Sequence, residues 1–342
     1  MALLGAADPA LAYSSSTGGT DVRNLRPVIG VFSQETKTVT GSSTIDPEVK
    51  KELSAYRYLI PASYVTWIGQ AGARVLPILL NQPDEYYAQI FERTNGILFP
   101  GGNQRIDPSD IYTEEGEILW NLAKEANDRG DYFPIWGTCL GFEELAVLEA
   151  GDGQVISLDV VAENLALPLR FTRDLGRSRL FRSFPARLVR ALRTQGLAFN
   201  SHEHGLLVSE YQSNSSLNSF FRMTSYNETS KGQLFVSTIE ARDYPFYGTQ
   251  WHPEKNNFEW SQNEDYSNIP HTPNAILVSE ATARFFISEA RKSWHTFPEV
   301  QRDELIYSAP ILYTGKGDWF YQQVYVFCRT DKTNCSPDQS TE

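Results

Sequence analysis

Cys139 lies in YFPIWGTCLGFEEL (Tyr132 to Leu145). This apolar run ends at Gly137 and turns through Thr138 and Cys139 into a helix that starts near Leu140 or Gly141, with Glu143 and Glu144 in its first turn. A thiol on a strand-to-helix turn faces the free N–H groups and the positive dipole end of the helix, which favour a thiolate. Flanking glycines permit the strained, exposed turn that such a nucleophile needs. In QWHPEKN, His252 and Glu254 stand two apart after FYGTQ. Extended chain puts i and i+2 on one face, and Pro253 holds His252 away from helical torsions. A carboxylate beside an imidazole fixes its tautomer and raises its basicity, which is the base-and-orienter half of a Cys-His-acid triad. In NGILFPGG, Gly101 and Gly102 let the backbone approach a substrate, and Gly102 N–H with Leu140 N–H makes a candidate oxyanion hole. Taken singly, each piece has a bland reading: a structural thiol, a surface HPE turn, a plain PGG turn. Together they argue for Cys139 as nucleophile, His252 as base and Glu254 as orienter.

Such pieces need a scaffold that ends several strands at one edge. VIGVFS after Arg26-Pro27 is a continuous apolar run suited to a strand covered on both faces. PASYVTWIGQAG reads as a helix with Pro61 in its first turn and Gly72 at its end. RVLPILL, DEYYAQIFERT, NGILFPGG and Tyr112–Arg129 continue the alternation up to the Cys139 stretch. Strand and helix in turn predict an α/β fold, a central mostly parallel sheet flanked by helices, with ligands bound beyond the strand C-termini. After Gly151 short strand-like runs (QVISL, ALPLRF, LLVS, FFRMTSY, QLFVSTIE) predict an antiparallel extension of that sheet with few helices. PNAILVSEATARFFISEARK then forms an amphipathic helix. The expected organisation is a disordered or processed segment over 1–25, a catalytic domain over 26–298, and a C-terminal extension and polar tail over 299–342.

The chain of 342 residues is long enough for a sizeable core, and its net charge of −12 argues against nucleic acid as a partner. The three cysteines are Cys139, Cys328 and Cys335, too few for a disulfide scaffold; the last two either pair or remain free thiols. Candidate glycosylation sites at Asn214, Asn227 and Asn334 lean toward a secretory route. MALLGAADPALAY has a short apolar segment ending in small residues but no basic start, and Asp8-Pro9 interrupts it, so it neither establishes nor excludes a signal peptide. No run of 18 apolar residues spans a membrane, and no His/Cys cluster has zinc spacing, so neither membrane, metal nor cofactor is expected.

PGG, GTCLG and WHPE, in this order and spacing, form a motif set that resembles the class I glutamine amidotransferase superfamily, with its three-layer sandwich. GILFPGG, DYFPIWGTCLGFEEL, FVSTIE, QWHPEKN, PHTPNA and FFISEARK resemble its γ-glutamyl hydrolase family (peptidase C26 type) over about Arg26 to His295. The resemblance implies a cysteine peptidase that hydrolyses γ-glutamyl bonds of folate and antifolate poly-γ-glutamates through a γ-glutamyl thioester. It carries Cys139, His252 and Glu254 onto the triad and Gly102 and Leu140 onto the oxyanion hole. Gly101, Glu143 and His202 fall among the substrate contacts, with His204 an alternative to His202. It also implies a lysosomal, vacuolar or extracellular setting and, the family being often dimeric, a homodimer. A glutaminase module or an inactive binding protein on this scaffold are the competing readings.

Overall fold

A computed structural model of the chain describes residues 24–40, 45–316 and 319–328. Its strands are β1 (Val28–Phe32), β2 (Gln34–Glu35), β3 (Tyr58–Pro61), β4 (Arg74–Ile78), β5 (Ile97–Phe99), β6 (Ile135–Thr138) and β7 (Ala162–Leu167). They continue with β8 (Arg170–Phe171), β9 (Ala198–His202), β10 (Phe221–Glu228), β11 (Leu234–Ala241), β12 (Phe246–Thr249), β13 (Ile311–Tyr313) and β14 (Gln323–Phe327). The main sheet has the order β4-β1-β5-β6-β12-β11-β10-β8. β4, β1, β5, β6 and β12 are parallel, and β11, β10 and β8 extend the sheet antiparallel. The expected α/β class with an antiparallel extension is what forms.

Period-two alternation divides the side chains between two cores. Val28, Phe32, Ile97, Phe99 and Ile135 point to one face, where the helices Asp84–Arg93, Ile111–Asp128 and Leu140–Ala150 cover them. Ile29, Val31, Leu98 and Trp136 point to the other, beneath the helices Ala62–Gln70 and Pro273–Ala290. The strands are therefore buried on both sides, which is why they read as continuous apolar runs rather than alternating ones.

The register brings three strand ends together. Phe99 pairs with Gly137, Gly137 with Gly248, and Thr138 with Thr249. Hence Gly101–Gly102 after β5, Cys139 after β6 and His252 after β12 emerge at the same edge. Glycine lets the helix after Cys139 start this close to the sheet. A Cβ on Gly141 would lie 2.0 Å from Phe99 O, and one on Gly137 would lie 2.3 Å from Gly141 O.

The second half differs from the expectation in its helices. QVISL overlaps the short 3-10 turn Gly153–Val155 and makes one antiparallel bridge, Ser157 to Gly205, and LLVS makes one bridge to Phe235 before entering the helix Val208–Ser213. Runs this short carry too few residues to separate strand from helix. Ala186–Thr194 is a helix that buries Leu188, Ala191 and Leu192, an i, i+3, i+4 pattern. The C-terminal extension is built into the same body. β14 pairs antiparallel with β3, and Trp319, Tyr321, Val324 and Val326 share a small core with Val49, Leu53 and Leu59. The N-terminal segment up to residue 23 and the polar tail from residue 329, Asn334 and Cys335 included, lie outside the described residues.

Candidate active site

Cys139 has φ 52° and ψ −110°, a left-handed conformation for a residue with a side chain, and such strain collects at functional turns. The turn is pinned by Cys139 N–H donating to Thr249 O (2.8 Å) and by Glu143 N–H donating to Cys139 O (3.0 Å). Its sulfur is buried, lies 3.9 Å from Ser201 O and receives Leu140 N–H. The thiolate expected at this helix start meets opposing forces. Burial pushes the thiol well above its usual range and the Glu143 carboxyl adds to the rise, whereas Leu140 N–H and Lys255 pull the other way. Burial outweighs the helix N-terminus here, so the proton is favoured on the sulfur.

His252 and Glu254 are buried behind the cysteine, with Nδ1 of His252 2.7 Å from Glu254 Oε1. Burial draws His252 below its ordinary range, with Lys255 acting in the same direction and Glu254 against it. Burial alone would raise Glu254, but His252, Lys255 and the hydrogen bonds together outweigh it and hold the carboxyl low. Nδ1 therefore carries the proton toward Glu254, and Nε2, which has no hydrogen-bond partner among the described residues, is left with a lone pair. A methyl group on Gly101 would lie 2.7 Å from His252 Cε1 and 3.1 Å from Cys139 Cβ, so the two side chains pack against the same side of the Gly101 backbone.

Gly101, expected among the substrate contacts, anchors the turn. Its N–H donates to Tyr64 Oη (2.8 Å) and its carbonyl accepts Gln34 Nε2 (2.6 Å). Gly102, one residue on, reaches the wall of a cavity of about 370 Å³ together with Cys139, Leu140, Glu143, His202 and His204. Glu143 is buried, accepts Gln250 Nε2 at 2.8 Å, and is pushed up to about 7 by burial. His202 Nδ1 lies 2.7 Å from His204 O, which fixes the proton there; burial draws the ring down to about 4 and leaves Nε2 without a partner among the described residues. Both histidines line this cavity; His202 ends β9 and follows Ser201, whose carbonyl lies 3.9 Å from Cys139 Sγ. Trp319, Phe320 and Tyr321 complete the wall from the C-terminal segment.

Sequence reasoning missed Tyr64, Gln34, Gln250 and this aromatic wall. Gln250 lay in view two residues before His252; Tyr64 sits inside an ordinary helix and gave no signal. Asn227 is corrected as a glycosylation site, because it is buried, its Nδ2 donates to Pro168 O (2.7 Å) and its Oδ1 accepts Ser237 Oγ (2.7 Å). Asn214 is half-buried, and its Oδ1 caps the helix Ser215–Phe220. Cys139 is a free thiol, whereas Cys328 is disulfide-bonded. Among the described residues no group of three His, Cys, Asp or Glu is placed to hold a metal ion, and no helix is long and apolar enough to cross a membrane.

A parallel sheet with a strained cysteine, a buried imidazole–carboxylate pair and a clamped glycine turn at one edge defines the class of α/β proteins equipped for thiol chemistry. Residues 27–254 match the model of the Peptidase C26 family. The chain is 40% identical over 304 residues to human Gamma-glutamyl hydrolase, covering 88% of this chain and 90% of that one. Gamma-glutamyl hydrolase B of Dictyostelium discoideum is 36% identical, covering 92% of this chain and 86% of that one. For Gamma-glutamyl hydrolase 1 of Arabidopsis thaliana the values are 37%, 89% and 83%. The chain belongs to the peptidase C26 family, the family of these gamma-glutamyl hydrolases.

Proposed function

We propose that the protein is a cysteine hydrolase that cleaves γ-glutamyl bonds of folate and antifolate poly-γ-glutamates with Cys139, His252 and Glu254 as its triad. The observation that carries the reading is that Cys139 and the His252–Glu254 pair pack together against Gly101, on a chain about 40% identical to curated gamma-glutamyl hydrolases over most of its length. His252 Nε2 takes the thiol proton as Cys139 Sγ attacks the γ-carbonyl. Leu140 N–H and Gly102 N–H receive the oxyanion. Collapse of the tetrahedral intermediate breaks the C–N bond, and the imidazolium gives its proton to the leaving α-amine. A water then attacks the γ-glutamyl thioester, losing its proton to His252, and collapse frees the γ-carboxyl product and returns the proton to the thiol.

The pH setting follows from the cavity. Glu143, pushed up to about 7, is protonated in acid and can then donate to a substrate carboxylate; His202, drawn down to about 4, stays neutral and accepts a substrate N–H. Both support work in an acidic lysosome or vacuole, reached by a secretory route that also leads outside the cell. The test is Cys139→Ala assayed on a pteroyl-diglutamate and on glutamine. Loss of about 10⁴-fold or more in turnover of the diglutamate is expected, as for other units of this kind. Glutamine as the preferred parent substrate would favour a glutaminase instead.

A further inference from the structure

The cavity that holds Cys139 has two chemistries in its wall. Phe320 and Tyr266 are half-buried rings 4.5 Å apart between centroids, and Phe320 stands perpendicular to the His252 imidazole at 5.8 Å. Trp319 and Tyr321, both buried, brace them: Tyr321 lies 5.0 Å from Phe320 and meets Trp319 at 5.3 Å in a T-shaped contact. The segments that carry the rings are tied down. Glu259 Oε2 accepts Gln322 N–H (2.7 Å). Past Tyr266, the backbone N–H of Asn268 donates to Asn164 Oδ1 (2.9 Å) and its Nδ2 to Asn164 O (3.0 Å). The other chemistry is acidic. Ala162 pairs with His202, which sets Glu163 of β7 beside Glu203 just after β9; both are exposed, whereas Glu143 is buried next to Cys139. All three carboxyls line the cavity, and among the described residues that line it there is neither lysine nor arginine.

A pteroyl-poly-γ-glutamate offers several γ-bonds, and the residue that supplies the acyl group differs among them in what its α-nitrogen carries. On the innermost residue that group is the aromatic p-aminobenzoyl amide. On every other residue it is a further glutamyl unit, which brings another carboxylate. A cavity of about 370 Å³ is at the small end for ligand sites, with room for one glutamyl residue and an adjoining ring. A second carboxylate drawn in beside Glu163 and Glu203 would meet like charge and no cation, whereas an aromatic amide meets ring faces and edges. We propose that Phe320 and Tyr266 form a subsite for the aromatic group on the α-nitrogen of the acyl glutamate, so that the enzyme cuts the innermost γ-glutamyl bond. The subsite rests on the γ-glutamyl hydrolase reading above and adds to it the choice of bond. Attack there transfers the pteroyl-glutamyl acyl group to Cys139 Sγ as the C–N bond breaks. The poly-γ-glutamate leaves in one piece with the proton on its α-amine, and water then frees pteroyl-monoglutamate.

The parent protein is mixed with pteroyl-pentaglutamate, and the products of the first turnovers are identified by mass. Pteroyl-monoglutamate and tetraglutamate are expected; pteroyl-tetraglutamate and free glutamate as first products overturn the proposal. Phe320→Leu and Tyr266→Leu then remove one ring each, on separate segments, and keep apolar bulk. Their readout is the ratio of kcat/KM on pteroyl-diglutamate to that on N-acetyl-γ-glutamylglutamate. Both substrates present the same scissile bond, so any disturbance of His252 by the change at Phe320 cancels in the ratio. Each variant should lower it about tenfold, the size of a well-placed aromatic contact together with its burial. A ratio equal to the parent's in both folded variants overturns the proposal. Binding of pteroyl-monoglutamate, measured by calorimetry against N-acetylglutamate, needs no turnover and should lose about the same factor in each variant. A parent protein that is inert but binds in this ring-dependent way would contradict the proposed function and leave the subsite standing. Cleavage at the outermost bond would do the reverse.

Discussion

At Cys139 the local forces act against the form that sequence suggests. A helix start, two glycines and a downstream His-Pro-Glu argue for a thiolate, yet the sulfur is buried with the Glu143 carboxyl close by, and its proton is held more tightly than in water. The site therefore depends on the neighbours that organise it. Tyr64 takes the Gly101 N–H at 2.8 Å and stands 3.4 Å from His252 Nδ1, joining the glycine turn to the base. Tyr64→Phe leaves that N–H buried and unpaired and lets the turn carrying Gly102 drift. Steady-state kinetics should show kcat falling about tenfold or more with KM little changed, the pattern of a group that matters to the transition state. A tenfold rise in KM at constant kcat would assign Tyr64 to substrate binding instead. Cys139, His252 and Glu254 were legible because thiol chemistry restricts residue types and spacing. Tyr64 and Gln34 were not, since a tyrosine in a helix and a glutamine after a strand do nothing until the fold sets them against Gly101.

The elements that present these residues were legible to the extent that their patterns were long. β1, β5 and β6 are apolar throughout because both faces are covered, and the 18-residue helices Ile111–Asp128 and Pro273–Ala290 carry several turns of pattern each. The segment from 151 to 220 was misread where helices are four to nine residues long, as with Arg179–Arg182 and Ala186–Thr194. What the sequence of the C-terminal extension could not show is its partner: β14 pairs with β3, more than 260 residues upstream, and no local pattern reports such a pairing. The junction of β6 with the helix Leu140–Ala150 is the most constrained point among these elements. Gly141→Ala would place a carbon 2.0 Å from Phe99 O, forcing the helix off the strand and carrying Cys139 with it. Denaturant unfolding should show a loss of about 3 kcal/mol, at the upper end for overpacking, with activity lost as well. An unchanged midpoint would contradict the packing described.

Over the whole molecule the buried carboxyls set a pH preference. Glu115, Glu143 and Glu259 are pushed up to about 7 and Glu144 to about 8, in each case chiefly by burial. An acid whose folded-state value lies above its unfolded value binds its proton more tightly when folded. The stability it contributes is complete below about 4.5 and is lost as pH rises through 7 to 8. His202, drawn down to about 4, acts oppositely: its contribution is lost as pH falls from 6.5 toward 4. Thermal unfolding should therefore occur on the order of 5 °C lower at pH 8 than at pH 5.5, with a further decline below pH 4. A melting temperature that rises from pH 5.5 to 8 would contradict this. One measurement directly reaches the proposal of γ-glutamyl hydrolysis through Cys139. Parent protein and Cys139→Ala are mixed with a pteroyl-poly-γ-glutamate at pH 5, quenched in acid within the first turnovers and analysed by mass spectrometry for products and adducts. The account predicts γ-glutamyl cleavage and a transient acyl adduct on the peptide carrying Cys139 in the parent, and neither in the variant. Cleavage by folded Cys139→Ala at the parent's rate would contradict it.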